Sequence, residues 1–118
     1  MAIETTALLV GWNRAIVGRE GVAAETFAST NAYFEKLQKN GKVTAFEPVF
    51  LQLHGGDFNG FWLVKGTHQN LEGIRTDEEF TDLLLRANHC MTGVSVIPAY
   101  TGNSIQDLMT RWVKTTPR

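Results

Sequence analysis

Residues 43–64, VTAFEPVFLQLHGGDFNGFWLV, decide how this chain folds. Val43–Leu53 and Phe58–Val64 are rich in β-branched and aromatic residues, the types that suit a pleated surface. Between them stands His54-Gly55-Gly56-Asp57, whose residues suit a hairpin loop. Side chains alternate across a strand. In the first run Phe46 and Phe50 therefore point one way, and Val49, Leu51 and Leu53 the other. In the second, Phe58, Trp62 and Val64 oppose Phe61 and Leu63. Both faces of this hairpin are apolar, so whatever surrounds it has to cover two surfaces.

Reading outward, Ala7–Trp12 (ALLVGW) predicts another strand. Arg19–Gly41 predicts a helix, with Ala23, Phe27, Phe34 and Leu37 on one face and Gly41 as its stop. Beyond the hairpin, Leu71 and Ile74 suggest a short helical turn. Thr76-Asp77-Glu78-Glu79 reads as a capping box, Thr76 being the N-cap and Glu79 its partner. It opens a helix carrying Phe80, Leu83, Leu84 and Ala87 on one side. Val94–Tyr100 predicts a fourth strand, and Ser104–Val113 a last helix with Ile105, Leu108, Met109 and Trp112 on its apolar side.

The order β-α-β-β-α-β plus a terminal helix is the split βαβ, or ferredoxin-like, pattern of the α+β class. It implies a four-stranded antiparallel sheet in the order 4-1-3-2. Strands two and four then lie at the edges, and they hold Pro48 and Pro98, where the missing N–H costs the ladder least. Two main helices cover one sheet face. The other would leave a large apolar patch on a monomer. A second copy packed sheet to sheet would cover it, giving a homodimer; the alternative is that the C-terminal helix folds over that face.

The length of 118 residues suits one domain, residues 1–118. With 43% hydrophobic and 19% charged residues, the chain can build a packed core. A net charge of −1 gives no footprint for nucleic acid or an anionic membrane. The single cysteine, Cys90, can form neither an internal disulfide nor a cysteine-rich zinc site. The opening MAIETTALLVGW lacks a basic leader region, and its apolar run is short for a membrane span. The expectation is a cytoplasmic protein that does not cross a membrane.

Several short stretches carry a resemblance. Trp12-Asn13-Arg14, Gly41-Lys42-Val43, Phe46-Glu47-Pro48-Val49, Gly55-Gly56-Asp57 and Thr76-Asp77-Glu78-Glu79-Phe80 resemble uncharacterised bacterial members of the dimeric α/β-barrel superfamily over residues 5–113. That superfamily includes YCII-like and EthD-like proteins, cofactor-independent antibiotic-biosynthesis monooxygenases and haem-binding chlorite dismutases. The resemblance implies a ferredoxin-like protomer and a dimeric barrel. It carries no catalytic motif that maps onto residues of this chain, and fold alone does not assign function.

Topology says where a site would lie. The loops at 13–19, 54–57 and 88–91 gather at one end of the sheet, bringing Arg14, Arg19, His54, Asp57, Asn88, His89 and Cys90 there and leaving His68 at the other. His54, Asp57 and His89 are the candidate catalytic groups. His54 and His89 end opposite edge strands, three spacings or about 14 Å apart, too far to share a metal within one chain. Asp57 and Arg14 end adjacent strands and could form a charge-assisted hydrogen bond. Turn chemistry is the first reading of His54 and Asp57, which flank the Gly-Gly turn. The dipole at a helix end accounts for His89, and Cys90 reads first as a small buried hydrophobe. Trp12, Trp62, Phe50 and Tyr100 could line a pocket between sheet and helices, although aromatics at alternating strand positions are first of all core. Arg14 and Arg19 are the best anion anchors.

His-Gly-Gly-Asp is similar to a hydrolase oxyanion loop, but the nucleophile elbow that reading requires is broken at Gly93-Val94-Ser95-Val96-Ile97. No nucleotide, EF-hand or zinc-protease motif is present, and nothing in the sequence demands a cofactor or a metal. Two functions stand against each other. One is a small-molecule-binding protein or cofactor-independent enzyme, with an apolar or aromatic ligand in a cleft between sheet and helices. The other is a non-catalytic homodimer, stress-related or structural. A filled sheet–helix interface favours the second; an open cleft of ligand size favours the first.

Overall fold

The computed structural model describes residues 2–117. Its elements in order are β1 (Ala7–Trp12), α1 (Glu20–Lys39), β2 (Ala45–Phe50), β3 (Gly60–Lys65), α2 (His68–Arg75), α3 (Glu78–Cys90), β4 (Ser95–Ala99) and α4 (Asn103–Thr115). The strands form one antiparallel sheet, β2-β3-β1-β4, which is the expected 4-1-3-2 order read from the other edge. Pro48 and Pro98 both fall on edge strands, as their missing donors require.

The registers fix which side chains share a face. Val10 lies opposite Trp62 and Val96, and Leu8 opposite Val64 and Pro98. Phe46 and Pro48 continue that row on β2. Leu8, Val10, Trp12, Trp62 and Val64 are buried with Tyr33, Phe34 and Leu37 of α1 and Phe80 and Leu83 of α3, so this is the helix side. The alternate positions Leu9, Val49, Phe61, Leu63 and Ile97 occupy the opposite face. That face remains partly accessible, and Ile97 is 51% exposed. The two-faced sheet is therefore real.

The helix α1 buries Ala23, Thr26, Thr30, Tyr33, Phe34 and Leu37. Thr26 and Thr30 sit in this apolar stripe because each hydroxyl donates to a carbonyl one turn back, Val22 and Thr26 respectively, at 2.8 Å. Gly41, with φ +81°, ends the helix in the left-handed conformation as expected.

Three details differ from the sequence reading. The strands of the hairpin are shorter, and the connection runs beyond 54–57 because pairing stops after Leu51 N–H donates to Asn59 O at 2.9 Å. The short turn around Leu71 and Ile74 is a two-turn helix, α2, capped by Thr67. The N-cap of α3 is Asp77 rather than Thr76: its carboxylate accepts from Phe80 N–H at 3.3 Å and from the Tyr33 hydroxyl at 2.8 Å. Thr76 instead closes α2, and Glu79 pairs with Lys36. The alternative in which α4 folds over the open face does not hold. This helix contains no buried residue and helps stretch the molecule to 53 × 37 × 21 Å.

Candidate functional site

Beyond the last β1 residue, the chain stays in the plane of the sheet. Asn13 N–H donates to Thr92 O at 2.8 Å, Thr92 N–H donates to Arg14 O at 2.7 Å, and Ala15 bridges Met91. On the other side, Asn59 N–H donates to Trp12 O at 3.0 Å, and Asn59 Nδ2 donates to Asn13 Oδ1 at 2.6 Å. The backbone from Trp12 to Ala15 is thus held from both sides, and it borders an open cleft at this end of the sheet.

The cleft has two adjoining lobes. One, of about 310 Å³, lies over Trp12, Phe27, Phe50, Ala23, Ala24 and Met91. The other, of about 450 Å³, extends over Leu51, Leu53, His54 and Asn59. Asn13, Arg14 and Ala15 border both. The floor is an aromatic cluster: Trp12 meets Phe27 and Phe50 edge-on with centroids 5.9 and 5.5 Å apart, and Phe27 stacks on Trp62 at 4.7 Å. Gly60 makes room for it, since a Cβ there would stand 2.3 Å from the Trp12 ring. Phe50 is left 66% exposed, which makes it a wall of the cleft rather than a core residue.

Polar groups at the rim are few. Arg14 is the one permanently charged side chain in the lining, and its guanidinium has no ion pair or hydrogen bond among the described residues. His54 is committed to the turn: Gly56 N–H donates to its Nδ1 at 3.1 Å, and its Nε2 faces Phe58 O at 2.9 Å. An amide donates only and a carbonyl accepts only, so the ring is the neutral Nε2–H tautomer with neither nitrogen free. Asp57 is exposed and forms no ion pair with Arg14. Asn88 and His89 are exposed on α3. The His89 carbonyl, not its imidazole, is engaged: it accepts from the Arg19 guanidinium, a favourable cation at a helix C-terminus. Arg19 is therefore tied to α3. Cys90 is buried, its thiol directed at the Arg86 carbonyl at 3.2 Å.

Of the candidate residues, Trp12, Arg14 and His54 meet at the cleft. Trp62 lies beneath it as core, its indole N–H donating to Asn31 Oδ1 at 3.2 Å. Tyr100 belongs elsewhere, following Ala99, which pairs with Ala7 at the opposite end of the sheet from Trp12. Between the middle of the sheet and the helices the cavity is small, about 30 Å³, and its mostly apolar lining includes Thr26 and Thr30 of α1. The larger opening lies where the strand ends meet α1. His68 stays at the far end, its Nδ1 3.1 Å from the Thr5 hydroxyl. No three His, Cys, Asp or Glu side chains among the described residues converge as a metal site.

No protein-family model and no curated protein sequence matches the chain. Among solved structures it is similar to a dimeric protein of unknown function and ferredoxin-like fold from Bacteroides fragilis NCTC 9343. The identity is 8%, the TM-score 0.58, and the alignment covers 80% of this chain and 95% of that one. At this identity the likeness is one of fold, and the fold is ferredoxin-like.

Proposed function

We propose that the protein is a homodimeric small-molecule-binding protein whose ligand is a compact aromatic or apolar anion held in the strand-end cleft. One observation carries the reading: an aromatic floor and a single unpaired guanidinium, Arg14, border the same opening of ligand size. A flat apolar body would lie on Trp12, Phe27 and Phe50, and Arg14 would grip its carboxylate. Binding suits the lining better than catalysis, because both nitrogens of the nearest histidine are engaged in the turn. The accessible apolar sheet face supports the homodimer and its barrel, as does the described dimer of the protein that shares the fold. The buried free thiol of Cys90 is in keeping with a cytoplasmic setting.

The test is a titration followed by the fluorescence of the floor tryptophan, Trp12, with aromatic carboxylates and their neutral amide or alcohol analogues. The carboxylates are expected to bind at least about tenfold more tightly, as a charge-assisted hydrogen bond of roughly 1.5–3 kcal/mol implies. Arg14→Gln should abolish that preference and leave the neutral analogues unchanged. Equal binding of charged and neutral compounds would remove Arg14 from the account. The filled sheet–helix interface favours a second reading, a non-catalytic homodimer that acts through its surface. That reading gains if no compound of the panel binds.

A further inference from the structure

The helix α4 is amphipathic in the wrong sense for its own protomer. Its apolar stripe runs through Ile105, Leu108, Met109, Trp112 and Val113, at helical spacing. Ile105 is 46% exposed, Met109 51%, Trp112 66% and Val113 68%. The polar side does the opposite. Ser104, Asp107, Thr110, Arg111 and Lys114 line the groove between α4 and its own N-terminal segment. The root of the helix is fixed, because the Thr6 and Thr101 hydroxyls lie 2.6 Å apart and Ser104 Oγ donates to Thr101 O at 2.8 Å. The polar side of α4 thus borders the groove, and the apolar stripe, apart from the half-buried Leu108, is left to solvent.

We infer that α4 is an arm whose apolar stripe docks on a second copy of this chain, beside the open sheet face. The inference rests on the homodimer proposed above and adds what α4 does in it. Length fits: 13 residues span about 20 Å at 1.5 Å each, close to the ~17–20 Å of a typical strand. Area also fits. Aromatic side chains offer ~150–250 Å² and aliphatic ones less, so the exposed parts of the stripe come to roughly 400 Å² per protomer. Two stripes give about half of the ~1,600 Å² of a standard specific interface. The remainder can come from the accessible apolar sheet face of Leu9, Val49, Phe61, Leu63 and Ile97. A twofold axis uses each surface twice, so the same chain supplies both partners.

Sedimentation equilibrium of the full chain and of Trp112→Glu measures the arm directly. Trp112 lies on the surface of the protomer, so the variant should keep its circular dichroism and, at dilutions where both chains are monomeric, its urea midpoint. The dimer dissociation constant should rise at least tenfold. If Trp112→Glu fails to fold, acrylamide quenching of the native chain, with Trp112→Phe for subtraction, gives the second readout. Trp12 and Trp62 are buried, so the subtracted signal isolates Trp112, which should be protected in the dimer and exposed on dilution. A dimer whose constant is unchanged in the variant, or whose Trp112 is freely quenched, overturns the arm and leaves the homodimer standing. A full chain that stays monomeric at every concentration overturns both.

Discussion

At the scale of single residues, His54 shows how a side chain that looks chemical can be architectural. It spans the loop between β2 and β3 with two hydrogen bonds, while Asp57 beside it is exposed. His54→Ala should therefore cost about 1 kcal/mol, the net worth of one or two neutral hydrogen bonds in a solvated turn. Asp57→Asn should stay within about 0.5 kcal/mol, as surface changes do. Urea unfolding of both variants checks this, and nitrogen NMR should report His54 as the neutral Nε2–H tautomer. A larger loss for Asp57→Asn than for His54→Ala would reverse the assignment. Topology read from the sequence places both residues at the end of the sheet where they are found, but it cannot say which hydrogen bonds the imidazole makes. Phe27 and Asn59, which help shape the site, were hidden for a related reason. Phe27 reads as a residue of the apolar helix face, and only packing across β2 and β1 brings it beside Phe50 and Trp12.

At the scale of elements, the strands, the two long helices and their buried faces are legible because their apolar periods are strong. Boundaries and caps are less so, since tertiary contacts choose between near-equal local options. Thr76 and Asp77 are both good caps, one residue apart. Asp77 wins because it also receives the Tyr33 hydroxyl. That bond has a consequence at alkaline pH. Burial, and then the Asp77 carboxylate that accepts its proton, push the Tyr33 phenol well above its ordinary range. Its raised folded pKa means that the folded state holds the proton more tightly than the unfolded chain. The associated stability is fully present below the unfolded phenol value of about 10 and is lost as pH rises beyond it toward the folded value. Stability should therefore fall above about pH 10, and Tyr33→Phe should flatten that part of the profile in urea midpoints measured against pH. An unchanged alkaline slope in Tyr33→Phe would mean that another group governs it. Asp77→Ala should cost ~1–2 kcal/mol for the cap alone, and more because it leaves the buried hydroxyl without its acceptor.

At the scale of the whole molecule, the sheet face opposite the helices and the outward stripe of α4 both remain apolar and without a partner among the described residues. The first follows from strand alternation and was legible in the sequence. The second was not, because an amphipathic pattern tells that a helix buries one side but not against what. The cleft at the strand ends has the same status. Its loops were placed correctly by topology, whereas the closure of the sheet–helix interface to about 30 Å³ depends on how the aromatic rings interlock. Both unpartnered surfaces imply association, so one measurement bears on them together. A native mass spectrum of the full chain at micromolar concentration, paired with that of Ile97→Glu, places a charge on the open face at a half-exposed position. The account predicts a species of twice the chain mass for the native protein and a folded monomer for Ile97→Glu. A native protein that flies as a folded monomer, with its sheet face open to water, would contradict it.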